Sequence, residues 1–571
     1  MSGVVVPYGS DAVLVELPGL PEVRALDARL RARPPQGVVD VVPAARTVLV
    51  RGHARTRDAW AGEVAALASA AATDETPPAP RTVEIPVVYD GEDLEDVARA
   101  TRTSTEEVVA RHLAGGPEGY RVAFGGFMPG FAYVVGLDPA LHLPRLGSPR
   151  TRVPAGSVAV AGEFTAVYPA PTPGGWRLLG RTDLTMFDVG RGAARAALLA
   201  PGDVVRFTRV PAAAVRAAAR PPSAPTAPGE PHGTPERSTA ATTGTAGRVG
   251  TGTDPTPART LTVVAPGPLS LVEDLGRAGL AAVGVPRSGA ADPAALARAN
   301  RLVGNAHDAA GLEVTLGGLV VTFGAPTAFA LEGAVLPVDL DGTPVPTGVA
   351  VRAPAGSTLT LGTPPRGLRT WLAVRGGVDV PEVLGSRSRD VLSGLGPAPL
   401  RPGDVLALGL RFDGLPDVTA ARDDGTAVDG ASHGGTSSGD QTSPDGTTSS
   451  DAEPRGNTTI VLPAGPGPRL GHLDDAARHA LWHQVWDVSA DSNRVAVRLD
   501  GPPLRRATTG ELASEGVVLG AVQVPHDGRP VLFGPDHPVT GGYPVVAVLT
   551  PAGVARAAQL RPGDRVRLAP S

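Results

Sequence analysis

Apolar residues in this chain fall mostly in short runs rather than long stripes. Val204-Val205-Arg206-Phe207 and Leu359-Thr360-Leu361 are typical, each a few residues long and close to Gly, Pro or Asp. That pattern predicts strands bounded by tight turns, so most of the chain reads as β. The first 80 residues differ. Extended runs at 13–17 and 38–50 alternate with helical periods over 22–33 and 56–72, which predicts a small α/β domain. A strand over 83–89 follows, then helices near 94–100 and 105–113, the second opened by a Ser104/Glu107 capping box. That helix pair is acidic (Glu92, Asp93, Glu95, Asp96, Glu106, Glu107), which argues against a DNA reader, because phosphate backbones repel such a face.

A weak repeat runs through the β part. Pro-Gly-Asp precedes an apolar run at 201–203, 402–404 and 562–564, each some two dozen residues after a Gly-Gly pair (Gly174-Gly175, Gly376-Gly377, Gly541-Gly542). Three related β units are expected. Between them, residues 221–258 and 421–457 are almost free of large apolar groups and cannot offset the entropy of ordering, so both read as disordered linkers. The expected units are therefore 1–80, 81–220, 259–420 and 458–571. This suits a 571-residue chain too long for one hydrophobic core.

Charge and composition narrow the chemistry. A net charge of −5 gives no electrostatic case for nucleic acid. No apolar run approaches the roughly 18 residues of a membrane span, and the first residues lack a signal-peptide pattern, so a cytoplasmic protein is expected. Cysteine is absent, which removes disulfides, thiolate nucleophiles and cysteine-ligated zinc. Lysine is absent too: all 52 basic residues are arginine. The chain therefore has no P-loop lysine, Schiff-base lysine, biotinylated lysine or amidase Ser-Ser-Lys triad. His479 and His483 sit four apart on an expected helix over 474–486, near His472, but without a third ligand at suitable spacing; no metal site is read there.

From 124 to 188 the motifs are dense: Phe127, Pro129-Gly130-Phe131, Pro144-Arg145, Pro149-Arg150, Val153-Pro154-Ala155-Gly156-Ser157, Tyr168, Pro173-Gly174-Gly175-Trp176 and Gly180-Arg181-Thr182. This stretch resembles the B-type component of 5-oxoprolinase, also called the KipI or allophanate hydrolase subunit 1 family. From about 260 onward the chain resembles the C-type component, the KipA or allophanate hydrolase subunit 2 family. There the motifs are Asp274-Leu275-Gly276-Arg277, Gly284-Val285-Pro286, Leu312-Glu313, Arg375-Gly376-Gly377-Val378, Ser386-Arg387, Ser492-Asn493-Arg494, Gln523-Val524-Pro525 and Gly541-Gly542-Tyr543-Pro544. The resemblance, to a fusion of 5-oxoprolinase subunits B and C, implies tandem cyclophilin-like β-barrel domains behind the small α/β domain. The chain departs from the family pattern at Glu273, where Gln is usual, at Arg389, at Gly394-Leu395-Gly396-Pro397 and at Val495-Ala496.

The resemblance also implies a function: ATP-dependent opening of 5-oxoproline to glutamate, together with a separate hydrolase like the A-type component of 5-oxoprolinase. Such chemistry needs charge clamps more than a nucleophile. The expected catalytic clamps are Arg145, Arg150 and Arg181 from the first half and Asp274, Arg277, Glu313, Arg387 and Arg494 from the second. Asp274 or Glu313 would hold Mg²⁺. Binding residues for substrate or nucleotide would be Gly130, Phe131, Gly156, Ser157, Gly174, Gly175, Trp176, Thr182, Gly376, Gly377, Asn493, Gln523, Gly541, Gly542 and Tyr543. No recognisable nucleotide loop accompanies them. Two other readings follow from the same resemblance: the carboxyltransferase component of a urea carboxylase-like system with its biotin on another protein, and a histidine-kinase-regulating binding protein.

Overall fold

The computed structural model describes residues 3–70, 80–148, 150–213, 259–416, 458–507 and 512–571. Both expected linkers, 221–258 and 421–457, and Pro149 lie outside the described residues. Within them no helix is long and apolar enough to cross a membrane.

The N-terminal unit is a four-stranded antiparallel sheet in the order Val4–Pro7, Ala12–Glu16, Thr47–Gly52, Val38–Pro43. The helices Leu20–Ala32 and Arg57–Ser69 cover one face, packing Val23, Leu26, Trp60 and Val64 against Val13, Val15, Val48 and Val50. Successive strand residues point to opposite faces. Ala12, Leu14, Val42 and Leu49 therefore face the other way, where with Tyr8 they meet Val517, Val518, Ala521, Val539, Val545 and Val548 from the end of the chain. Burial on both faces explains why Ala12–Glu16 is an almost unbroken apolar run rather than an alternating one. The single extended run expected over 38–50 is two strands, since the chain turns back at 44–46.

Next comes a seven-stranded sheet, antiparallel except where Val204–Arg209 runs parallel to Thr82–Val87. The helices Leu94–Thr101 and Thr105–Ala114 pack on it, and the Ser104 hydroxyl accepts the Glu107 N–H at 3.2 Å as the capping box requires. Residues 259–416 form a six-stranded and a five-stranded sheet around one core that includes Phe323, Phe329 and Leu372. Residues 458–571 form a closed barrel, sealed by parallel pairing of Ile460–Pro466 with Arg565–Pro570. The helix expected over 474–486 is shorter, Asp475–His483. Gln484 leaves helical geometry, and Trp486 joins the barrel opposite Val566.

The Pro-Gly-Asp repeat is a structural unit. Gly202, Gly403 and Gly563 all adopt positive φ, and the aspartate amide of each turn bonds back to the carbonyl three residues earlier. The carboxylates of Asp203, Asp404 and Asp564 accept the N–H of Ala200, Arg401 and Arg561 at 2.9, 2.8 and 2.7 Å. Each turn then exchanges two backbone bonds with a valine on a neighbouring segment: Val122, Val263 or Val488. The upstream Gly-Gly pairs are not equivalent. Only Gly376 and Gly377 are both left-handed; Gly174, Gly541 and Gly542 are not.

Candidate functional site

The expected site residues separate into three places. The first is the seam where the first half meets the last barrel. The loop 125–131 enters it with Phe127 at φ +60°, a strained value for a side-chain-bearing residue, and the Phe127 N–H donates to Thr540 Oγ1 at 2.8 Å. Backbones approach so closely that a Cβ on Gly284 would lie 2.1 Å from the Met128 carbonyl oxygen. Gly130 donates to the Val283 carbonyl at 3.0 Å and so helps to dock the halves. Phe131 is buried in an aromatic cluster with Tyr133, Tyr168 and Trp176, ring centroids 5.1–5.4 Å away.

Arg145 reaches from this floor toward the last barrel. The next residue, Leu146, is pinned by donating to the Gly175 carbonyl at 2.7 Å. A Cβ on Gly542 would lie 3.3 Å from Arg145 Nη1, so the missing side chain leaves the guanidinium its room. Among the described residues Arg145 has no hydrogen-bond or ion-pair partner. The Tyr168 hydroxyl, pushed up to about 12 chiefly by burial, feels the opposing fields of Arg145 and Arg150. On the barrel side, the Gln523 side-chain N–H holds the Tyr543 carbonyl at 3.0 Å and fixes the Gly541-Gly542-Tyr543 turn.

The other first-half arginines are occupied. Arg150, drawn beside Gly174 by pairing of their strands, binds Asp93 at 2.6 Å and Glu92 at 3.2 Å. Arg181 pairs with Asp90 at 3.0 Å on the surface. Gly156, Ser157 and Thr182 build a turn: the Thr182 N–H meets the Gly156 carbonyl at 2.8 Å, and the Ser157 hydroxyl donates to the Pro154 carbonyl at 2.8 Å.

The second place is a buried ionic knot between the two β units of the second half. Arg494 donates through Nε to Asp536 at 2.9 Å and through Nη2 to the Gly289 carbonyl at 2.7 Å; Nη1 binds Glu313. Burial alone would raise Glu313, but Arg494 and Arg369 outweigh it and hold this carboxyl below its ordinary value. Arg277, also buried, donates to the carbonyls of Val383 and Ser388, and Asn493 caps the turn before Arg494 by accepting the Val495 N–H at 2.8 Å.

Asp274 and Glu313, on which Mg²⁺ was expected, both sit among protein donors. Asp274 accepts from the N–H groups of Gly276 and Arg387 and the hydroxyls of Ser386 and Ser388, at 2.5–2.8 Å. Glu313 accepts from Ala291 N–H, Trp371 Nε1 and two guanidinium groups. Protein donors thus reach both carboxylates, and among the described residues no cluster of three or more His, Asp or Glu is arranged to hold a metal.

The third place is a small cavity of about 80 Å³ lined by Gly376, Gly377, Asp379, Arg387 and Arg411. Arg387 is tied to Glu382 at 2.5 Å and Asp379 at 2.8 Å, so its charge is spent within the protein.

Comparison with known proteins sets these places in a frame. Residues 283–570 match the carboxyltransferase domain, subdomains A and B, and residues 4–199 match its subdomains C and D. The chain belongs to the carboxyltransferase-domain family. It is 37% identical over 309 residues to the C-type component of 5-oxoprolinase from Escherichia coli, spanning 54% of this chain and 89% of that protein. It is 46% identical over 133 residues to the B-type component from Bacillus subtilis, 23% of this chain and 53% of that protein. Urea amidolyase of Lachancea kluyveri is 31% identical over 54% of this chain, a match that covers only 17% of the much longer enzyme. The crystal structure of TTHA0988 resembles the whole: TM-score 0.74, 32% identity, 98% of this chain and 99% of that one. Modules similar to the B-type and C-type components of 5-oxoprolinase are thus joined in one polypeptide. In carboxyltransferase terms, the Arg145 seam joins the C/D and A/B subdomain pairs, whereas Arg494 and its partners Glu313 and Asp536 lie within A/B.

Several residues of these places were not expected. Thr540 lies next to a quoted Gly-Gly pair, and Arg369 opens the otherwise uncharged, wholly buried strand Arg369–Val374, an anomaly visible in the sequence. Asp536 carries no such local signal.

Proposed function

We propose that this chain grips 5-oxoproline for an ATP-dependent 5-oxoprolinase and presents it to a separate hydrolase, the A-type component of such an enzyme. Arg145 carries this reading: a guanidinium without a partner among the described residues, at the meeting of both halves, beside the bare backbone of Gly542. A carboxylate is the planar anion that a guanidinium binds best, through two parallel N–H bonds. Close backbone and an aromatic floor suit a flat lactam ring. The similarity to the B-type and C-type components supports the same substrate. The residues described offer neither a nucleotide loop nor an open carboxylate pair, so ATP and its Mg²⁺ are assigned to the partner's side of the complex.

The test is glutamate release from 5-oxoproline in the presence of ATP, with this chain, with the candidate A-type hydrolase, and with both. Release is expected only from the mixture. Arg145→Ala is expected to lower kcat/KM about 10- to 100-fold, the loss of one charge-assisted contact. An inert mixture overturns the reading. The family's name and the similarity to urea amidolyase support a second one, carboxyl transfer; with no lysine, the chain would take the carboxyl group from a biotin on another protein. Carboxylation that depends on such a carrier and not on the A-type hydrolase would favour it.

A further inference from the structure

The buried knot holds more carboxyl groups than guanidinium groups. Arg494 faces Glu273 (Nη2 to Oε1, 3.2 Å), Glu313 and Asp536 at once, and Arg369 adds a cation 3.2 Å from Glu313 Oε1. Two cations meet three acids, all with side chains no more than 8% exposed. Around them, Arg277 faces Asp274 and Asp390 as well as Glu273 and Asp536, and His537 lies beside Asp536, kept neutral by burial that pushes it down to about 4. An unbalanced negative charge in so dry a place costs several kcal/mol, and a proton on the carboxyl poorest in donors removes it.

The distribution of donors singles out Glu273. Glu313 receives the Ala291 N–H at 2.8 Å and Trp371 Nε1 at 3.2 Å besides its arginines. Asp536 receives the Ser288 hydroxyl at 2.5 Å, the Val391 N–H at 3.1 Å and Arg494. Asp390 receives the N–H groups of Leu392 and Ser393 and the Ser393 hydroxyl, and Asp274 receives the donors named above. Glu273 is wholly buried, yet no donor reaches either oxygen in hydrogen-bonding geometry; Ser388, beside it, gives its hydroxyl proton to Asp274 at 2.5 Å.

We propose that Glu273 carries a proton in the folded protein and, by staying neutral, leaves the Arg494 fork to Asp536, which anchors the loop leading to Thr540 and the Arg145 seam. Burial first, then the fields of Glu313 and Asp536, push this carboxyl well above its ordinary range against the opposing pull of Arg494. From Asp536 the chain runs four residues to Thr540, which holds the Phe127 N–H of the other half, and then to Gly542 beside Arg145. Glu273 is thus a positioning residue, and its role holds whichever ligand that seam takes.

The test compares the full chain with Glu273→Gln. A carboxyl whose folded pKa lies above its unfolded value of about 4.3 binds its proton more tightly when folded. Its stabilising contribution is full below that value and is lost as pH rises toward the folded pKa. The folding constant of the wild type relative to E273Q should therefore fall about tenfold per pH unit above pH ~5, while the other titrating groups cancel in the ratio. A ratio that is flat or rises with pH overturns the proposal. Two measurements stand apart from stability. The infrared difference between wild type and E273Q at neutral pH should contain a carboxylic-acid carbonyl band, and its absence overturns the proton. Hydrogen exchange at the Phe127 amide should be equal in the two proteins, and faster exchange in E273Q overturns the positioning role.

Discussion

Two arginines of this molecule, one at each seam, are used in opposite ways. Between the β units of the second half, Arg494 is 2% exposed and every donor edge meets a protein acceptor. Between the halves, cohesion comes from the apolar surface around Leu14 and Val548, from backbone pressed on backbone at Gly284, from Arg469 of the last barrel bound to Glu16 and Glu515, and from single ties such as the Gly279 N–H to Asp40 at 2.8 Å. There Arg145 has no partner among the described residues. A guanidinium surrounded by carboxylates holds a fold together; one facing bare backbone has its binding capacity free for something else. Residue type does not separate the two cases, since both arginines belong to the same set of motifs. The supply of partners does.

The comparison is broken most severely at Arg494. Arg494→Met leaves Asp536 buried without its counter-charge and Glu313 with Arg369 alone, and the expected loss is about 3–5 kcal/mol in chemical denaturation. Arg494→Lys should recover little, because one ammonium cannot span three acids with a planar fork. Full recovery by lysine would mean that the knot needs only a charge. Gly284→Ala probes the other seam. It puts a side chain at φ +78° and a Cβ against the Met128 carbonyl, so a loss of about 1–3 kcal/mol is expected, read in the same denaturation experiment. An alanine tolerated without cost would show that the halves touch more loosely than the 2.1 Å approach implies.

What could be read from the sequence follows the range of the interactions. The three Pro-Gly-Asp turns were legible because turn chemistry is local: the glycine supplies the left-handed bend and the aspartate caps it within three residues. The mostly β character was legible for the same reason. The knot was half visible. Arg494, Arg277 and Glu313 stood out as motif residues, but Asp536 and Arg369 come to Arg494 from 42 and 125 positions away, brought there by barrel closure that no local pattern encodes. The surroundings of Asp274 were not legible, because Ser386 and Ser388, whose hydroxyls bond its Oδ1, lie more than a hundred residues on. The Gly-Gly pairs looked alike in sequence and differ in conformation, since a glycine permits positive φ without requiring it.

Arg181 gives the smallest effect and the finest test of the rule about partners. It was grouped with Arg145 as a clamp, yet its Asp90 pair lies in the open, with side chains 39% and 44% exposed. Water screens such a pair, and ordering two long side chains offsets most of the attraction, so exposed pairs contribute about 0.2–1 kcal/mol. Arg181→Ala should therefore change stability by less than about 1 kcal/mol, with the difference shrinking further as salt shortens the Debye length. It should leave glutamate release by the mixture within about twofold of wild type, against the 10- to 100-fold loss expected for Arg145→Ala. If Arg181→Ala instead matched Arg145→Ala in turnover, a tied surface arginine would be acting on substrate, and an unpaired guanidinium would no longer be what marks the site.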